Sequence, residues 1–404
     1  MTALLVGHAA VPLDVPVGTL MGGYAARPGP STGTLDPLQV AAVSIDDGQR
    51  RFVWIVADLP CVNADLAAAV RAAVGTDAWV SATHTHAGPE TGCEPGGAAT
   101  PQPWLDRVTA AARDAAARAT AAATPATVEV RTTRVTGVGG VRSAARPGRS
   151  VPVDVLTLRT PDRLIGAIVV LPVHPTVLDA ANRLVSADLM GAARTALATE
   201  LDGAWVVVAT GAAGDISTRP FRREQTPAEC ARLGGLVADA VVEALRLAPG
   251  AVARAGDVLR VADAEVALDP KPAGSAVPVE ALEAALAAAE RTGDGVAVRT
   301  AVTALQAARL AAPAPADLTC AVSAVTVGGL TLVATGAEPY LALAGQLAPA
   351  VLVGYTNAYV GYLPTRDAYA RADYEVLRTP VAAGGAERVV AAATALITRT
   401  TETT

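Results

Sequence analysis

Apolar, β-rich runs alternate with alanine- and leucine-patterned helical stretches along most of the chain, and this restricts the fold to sheets covered by helices. Strand-like runs fall at Val40–Ile45, Phe52–Ala57, Trp79–Thr83, Thr127–Thr132, Val153–Leu158, Ile165–Pro172 and Trp205–Thr210. Helical patterns occupy Ala64–Val74, Trp104–Ala122, Leu189–Leu201, Ala228–Leu247 and Ala386–Ile397, each bounded by glycine, proline or a capping residue. The runs Leu318–Val327 and Leu330–Thr335 flank Gly328-Gly329, which predicts a hairpin and therefore some antiparallel pairing. The expected fold class is α/β in a mixed α+β form. A Pro-rich passage from Asp269 to Pro278 opens a helical stretch, Val279–Leu310, that reads as a two-helix insert spanning about 270–315.

With 404 residues, 51% of them hydrophobic, the chain can bury a core larger than one sandwich holds. A net charge of −6 with scattered basic residues leaves no electrostatic footprint for nucleic acid. No run approaches the 20 or so apolar residues of a membrane span, and the first residues lack a secretion-type pattern, so the expected location is cytoplasmic. Cys61, Cys93, Cys230 and Cys320 form no close pair in sequence, so reduced, mostly buried thiols are the default expectation, with pairing through the fold left open.

Chemically capable residues recur just after the strand-like runs, where loops gather at a sheet edge. His84 and His86, two of only four histidines, end the run Trp79–Thr83 and share a strand face. His174 follows Ile165–Val173, Ser217 follows Trp205–Thr210 through a small-residue loop, and Glu338 follows Leu330–Thr335. Two or three imidazoles and one carboxylate at strand ends constitute the ligand chemistry of zinc with an open position. Asp58 and Asp188 also sit at the ends of apolar runs, either orienting histidines or capping helices. Arg219, Arg222 and Arg223 beside Ser217 could meet an anionic substrate or leaving group, but read more readily as a solvated loop.

Five of the seven tyrosines, Tyr355, Tyr359, Tyr362, Tyr369 and Tyr374, lie within one twenty-residue segment of a chain that has only two phenylalanines. The phenolic hydroxyl is therefore what that segment selects. Tyr355, Tyr359 and Tyr369 are read as packing residues with hydrogen-bonded hydroxyls.

In order along the chain, Gly22-Gly23-Tyr24, Thr83–Pro89, His174-Pro175-Thr176, Ser186–Gly191, Gly211–Ser217, Asn357–Tyr362 and Tyr374-Glu375 resemble blocks of the neutral/alkaline non-lysosomal ceramidases and their shorter bacterial relatives. The resemblance implies a layered α-β-β-α catalytic domain over residues 1–404, with mixed sheets flanked by helices; the larger ceramidases add a carboxy-terminal immunoglobulin-like domain, which is not expected within 404 residues. It implies one Zn2+ per chain held by His84, His174, Glu338 and Tyr362. His86 and Tyr374 would line the substrate carbonyl, Arg146 would reach it with Arg142 as the alternate, and Ser217 falls at the family's proposed nucleophile. The implied activity is zinc-dependent hydrolysis of the amide in a small N-acylated molecule. The chain continues from Ser217 as Thr218-Arg219-Pro220 where ceramidases have Pro-Asn, so the expected substrate is smaller or more polar than ceramide. Two rivals follow from the same residues: an acyl-transferring or amide-forming tailoring enzyme, and a non-catalytic zinc-binding relative. No G-x-S-x-G elbow surrounds Ser217, which disfavours an α/β-hydrolase triad.

Overall fold

The computed structural model describes residues 3–402 apart from 145–146, 273–276, 294, 311–313 and 372. Two five-stranded sheets stack face to face. The first runs in the spatial order Asp77–Ala82, Arg51–Ala57, Leu38–Asp46, Leu5–Leu13 and Thr124–Pro125. The second runs Trp205–Thr210, Leu164–Leu171, Ser150–Arg159, Thr127–Thr136 and Ala251–Ala253. Each is antiparallel except at one edge, where Arg51–Ala57 pairs parallel with Asp77–Ala82 and Leu164–Leu171 pairs parallel with Trp205–Thr210.

These strands read as unbroken apolar runs because both faces are covered. In Leu38–Asp46, Val40 and Ala42 face the helix layer, whereas Ala41, Val43 and Ile45 enter the seam between the sheets. The helices Ala64–Val74 and Gln102–Ala121 cover the first sheet; Asp188–Glu200 and Pro227–Ala244 cover the second. The architecture is the expected mixed α/β stack, α-β-β-α.

A third sheet, in the order Leu259–Leu268, Leu318–Val327, Leu330–Thr335 and Val351–Val353, joins the same seam. Val325 and Leu332 point into it, while Val322 and Val333 meet the helix Gly385–Thr401 on the other side. Its predicted hairpin turns at Gly328, whose φ of 54° is a left-handed conformation that costs glycine nothing. Fully buried Phe52, Trp54 and Trp79 anchor the seam, each contributing roughly 1.5–3 kcal/mol of burial. Trp54 also donates to Ser81 Oγ at 2.9 Å, and Ser81 meets Thr356 Oγ1 at 2.8 Å, so the core reaches directly into the loops described next.

The helices Val279–Thr292 and Gly295–Arg309 pack on each other and touch the body through a small apolar cluster of Leu282, Leu305 and Leu377. Among the described residues, no helix is long and apolar enough to cross a membrane.

Candidate metal centre

In each of the three larger sheets one parallel pair ends at a common edge: Arg51–Ala57 with Asp77–Ala82, Leu164–Leu171 with Trp205–Thr210, and Leu330–Thr335 with Val351–Val353; loops at the carboxyl ends of such strands are where sites assemble. Asp77–Ala82 runs on to His84 and His86, Leu164–Leu171 to His174, Trp205–Thr210 to Ser217, Leu330–Thr335 to Glu338, and Val351–Val353 to Tyr355. Backbone bonds stitch these loops together across the three sheets. Ala82 donates to Tyr355 O at 3.0 Å, Gly354 to Thr210 O at 3.0 Å, Gly214 to Pro339 O at 2.8 Å, and His174 to Ile216 O at 3.0 Å. The short strands Glu338–Pro339 and Tyr362–Leu363 pair in parallel, which sets the carboxylate beside the tyrosine. His84, Tyr355 and Asn357 all hold positive φ, at 62°, 56° and 68°, conformations that non-glycine residues keep only where the surroundings enforce them. A Cβ on Gly214 would stand 2.5 Å from Glu338 O, so only glycine admits that close approach.

The resulting side-chain geometry is specific. His84 Nδ1 meets the Pro60 carbonyl at 2.5 Å and His174 Nδ1 meets the Ala213 carbonyl at 2.6 Å. A carbonyl only accepts, so both Nδ1 atoms carry the proton and both Nε2 atoms present lone pairs. Those two Nε2 atoms lie 3.2 Å apart, and His86 Nε2 lies 3.3 Å from that of His84. Glu338 Oε2 completes the group at 3.1 Å from His174 Nε2 and 3.5 Å from His84 Nε2. Two lone pairs and a carboxylate aimed at one buried point repel each other unless a cation sits between them. The donor set therefore fits a divalent metal, and His84, His86 and His174 form a cluster able to hold one.

Electrostatics favour the ligand forms of these groups. Burial lowers His84, and lowers His86 further with the help of the neighbouring imidazoles. His174 is pushed down to about 4 by burial and by the charge of Arg142. Burial pushes the Glu338 carboxyl up, but His84, His174 and Tyr359 together outweigh it and hold the group at about 2. At neutral pH the site thus offers uncharged imidazoles and an ionised carboxylate.

Around this group, Tyr362 stacks on His174 with ring centroids 6.1 Å apart and meets Tyr374 edge-on at 5.9 Å. Burial first, then the charge of Glu338, pushes the Tyr362 phenol well above its ordinary value, so its ionisation requires a nearby cation. Arg142 is buried, ion-paired with Glu375, hydrogen-bonded to the Gly214 carbonyl, and lies over the Tyr362 and Tyr374 rings at 5.5 and 5.8 Å. His86 packs against the edge of Tyr24 at 4.8 Å, and its Nδ1 is buried with no hydrogen-bond partner. A cavity of about 700 Å³ reaches His84, His86, Glu338, Tyr362 and Tyr374 and opens past Tyr24, Glu94, Arg309 and Arg378.

The sequence-predicted residues sort clearly. His84, His86, His174, Glu338, Tyr362 and Tyr374 come together. Ser217 is buried next to His174, bridged to it through the backbone, and its Oγ accepts from the Arg219 amide at 3.3 Å. Arg146 lies outside the described residues, and the alternate, Arg142, occupies the site.

Other expectations are corrected. Of the two roles left open for Asp58 and Asp188, neither orients a histidine: Asp58 pairs with Arg194 at 3.0 Å and accepts the Gln39 amide at 3.0 Å, and Asp188 accepts the amides of Val177 and Leu178 at 3.0 and 2.9 Å. Cys61 and Cys93 form a disulfide with Cα atoms 5.8 Å apart, where reduced thiols were expected. They are distant in sequence and adjacent only through folding of the loops that follow Arg51–Ala57 and Asp77–Ala82. Arg219 and Arg222 are half-buried, and only Arg223 is exposed as a loop residue would be.

Some functional partners carried no clear sequence signal. Tyr355 and Tyr359, read as packing residues, donate to Glu338 at 3.4 and 2.5 Å. The tyrosine cluster was visible, but which hydroxyl faces a carboxylate was not. The Pro60 and Ala213 carbonyls have no signature at all.

Comparison with protein-family models and with curated proteins returns no match. Among solved structures, a ceramidase complexed with C2 superposes with a TM-score of 0.74 at 18% identity, covering 98% of this chain and 74% of its own. A neutral ceramidase from Pseudomonas aeruginosa gives a TM-score of 0.72 at 18% identity with the same coverage. The fold is ceramidase-like.

Proposed function

We propose that the chain is a zinc-dependent amidohydrolase that cleaves the amide of a small N-acylated substrate. The observation that carries this reading is the convergence of two carbonyl-anchored imidazoles and Glu338 on one buried point, 3.1 to 3.5 Å from one another. His84, His174, Glu338 and Tyr362 would hold one Zn2+. The metal would supply a water of pKa about 7, against about 15.7 in bulk, and polarisation of the amide carbonyl.

The chain's own residues supply the rest. Tyr374 and Arg142 donate to the carbonyl oxygen as negative charge grows on it, a contribution of roughly 3 to 4 kcal/mol for one such donor. Glu375 keeps Arg142 in place through its ion pair. His86, whose Nδ1 is not locked to a carbonyl as those of the other two are, is free to change tautomer; uncharged at neutral pH, it takes the proton released by the attacking water or Ser217 hydroxyl and delivers it to the departing amine. Ser217, beside His174, either attacks the carbonyl or positions the water. The ceramidase-like fold supports the reaction class, and the charged residues Glu90, Glu94, Arg309 and Arg378 along the cavity support a substrate more polar than ceramide.

The test is metal analysis coupled to chelation and add-back, with turnover followed on a panel of N-acyl amines and N-acyl amino acids. Activity that is lost on chelation and restored by zinc supports the proposal. A metal-replete preparation that hydrolyses none of the panel would falsify it. Ser217→Ala keeps full metal content in either role; formation of an acyl-enzyme detectable by mass spectrometry in wild type separates attack from water positioning.

A further inference from the structure

The two carboxylate oxygens of Glu338 face different neighbours. Oε2 lies 3.1 Å from His174 Nε2 and 3.5 Å from His84 Nε2, whereas Oε1 accepts from the Tyr359 hydroxyl at 2.5 Å. An ionised carboxylate has no proton to give, so the phenol is the donor, and a hydroxyl bonded to a charged oxygen at this distance is among the strong hydrogen bonds. Tyr355 differs. Its ring stacks on His84 with centroids 4.3 Å apart, and its hydroxyl reaches Oε2 only at 3.4 Å, long for such a bond.

The Tyr359 ring cannot follow the carboxylate if it turns, because the chain is pinned on both sides of it. Asn357 donates its amide to the Val80 carbonyl at 2.8 Å and accepts the Val80 amide on Oδ1 at 2.9 Å. Val360 donates to the Gly336 carbonyl at 2.9 Å, and the Glu338 amide donates to the Gly361 carbonyl at 2.9 Å. Tyr359 is thus tied both to the strand that leads to His84 and to the loop that carries Glu338. A phenol fixed in this way decides which oxygen of the carboxylate stays turned towards the imidazoles.

A carboxylate gives a cation either one oxygen or both. With both, Oε1 would occupy the position that a water or a substrate carbonyl needs. Zinc accepts few ligands and takes imidazole readily, whereas Mn2+ suits oxygen donors in a six-coordinate shell.

We propose that Tyr359 is a positioning residue that holds Glu338 to a single donor oxygen, which keeps one coordination position open and makes the site prefer Zn2+ to Mn2+. This rests on the metal centre of the proposed function. It adds what sets the number of donors there and hence the choice of cation.

The test has two parts. In a crystal structure of the zinc-loaded wild type, Oε2 alone is expected at bonding distance from the metal, with Oε1 still on Tyr359; both oxygens on the metal would overturn the proposal without recourse to any variant. Affinities for Zn2+ and Mn2+ are then measured by chelator competition in wild type, Tyr359→Phe and Tyr355→Phe, with melting temperatures of the metal-free proteins showing that the variants fold. Tyr359→Phe should weaken Zn2+ binding about tenfold or more and leave Mn2+ binding unchanged or tighter, so that the preference for Zn2+ falls by at least that factor. Tyr355→Phe should keep the wild-type preference. A role in packing alone would weaken both cations alike, so an unchanged preference in Tyr359→Phe overturns the assignment, as does an equal fall in Tyr355→Phe. Wild type that takes up no Zn2+ between His84 and His174 sinks the metal centre itself, whereas each of the other adverse results leaves that centre standing.

Discussion

The histidine end of the cavity and the helical pair at its mouth border the same space but are held by different physics. At the inner end, loops from three sheets are bonded to one another, strained residues are locked in place, and both Nδ1 atoms of His84 and His174 are fixed on carbonyls. At the mouth, Val279–Thr292 and Gly295–Arg309 rest on Leu282, Leu305 and Leu377, with Arg309 paired to Glu283 at 2.7 Å on an exposed face. A small apolar cluster and a surface ion pair, the latter contributing about 0 to 1 kcal/mol, stabilise far less than a stitched set of strand ends. The rigid end is suited to holding reacting atoms, and the looser end to admitting a particular substrate.

Substitutions at the two ends should therefore separate chemistry from access. The largest effect is expected for His174→Ala, which removes one of the two anchored lone pairs. Metal content by elemental analysis should fall to background and turnover by at least about a thousandfold; full metal occupancy in this variant would end the ligand assignment.

Next comes the disulfide. Cys61 sits beside Pro60, which orients His84, and Cys93 lies on the cavity wall, so the bridge ties the inner end to the mouth. Cys93→Ala should cost roughly 3 to 4 kcal/mol for its sequence separation of 32, read as a lower denaturant midpoint. An unchanged midpoint would show that the stitched backbone alone holds the loop.

A smaller change is expected from Leu305→Ala in the arm, about 2 kcal/mol of stability. Its kinetic signature is a raised KM with kcat and metal content preserved; a fall in metal content would mean that the two ends are one unit.

The smallest effect concerns pH. Burial raises the Asp188 carboxyl to about 6, above its unfolded value near 4. A raised carboxyl stabilises the fold below the unfolded value and loses that contribution as pH rises through about 6. Relative to wild type, Asp188→Asn should therefore gain melting temperature between about pH 4 and pH 6. A difference that is flat across this window would mean that Asp188 is not buried as described.

Much of this division was legible in the chain. Alternating apolar runs predicted the layered sheets, since a strand covered on both faces must be apolar throughout, and the hairpin at Gly328-Gly329 announced itself by turn chemistry. His84, His86, His174 and Glu338 were found because each directly follows such a run. Leu5–Leu13 and Leu259–Leu268 were not read as strands: polar and half-exposed residues interrupt each of them, so no apolar run marks their place. The disulfide escaped for a different reason, because 32 residues of separation carry no sign that two loops will meet.

The sequence alone determined periodicity and residue type: which segments are sheet or helix, and which side chains can bind a metal or move a proton. Only the tertiary structure decided which of them share a point in space. It set Arg142 over the Tyr362 and Tyr374 rings and turned Tyr355 and Tyr359 onto Glu338. The physical reason is that propensity and burial act along neighbouring residues, whereas hydrogen bonds and charge pairs act between whatever atoms the packed sheets bring within a few ångströms.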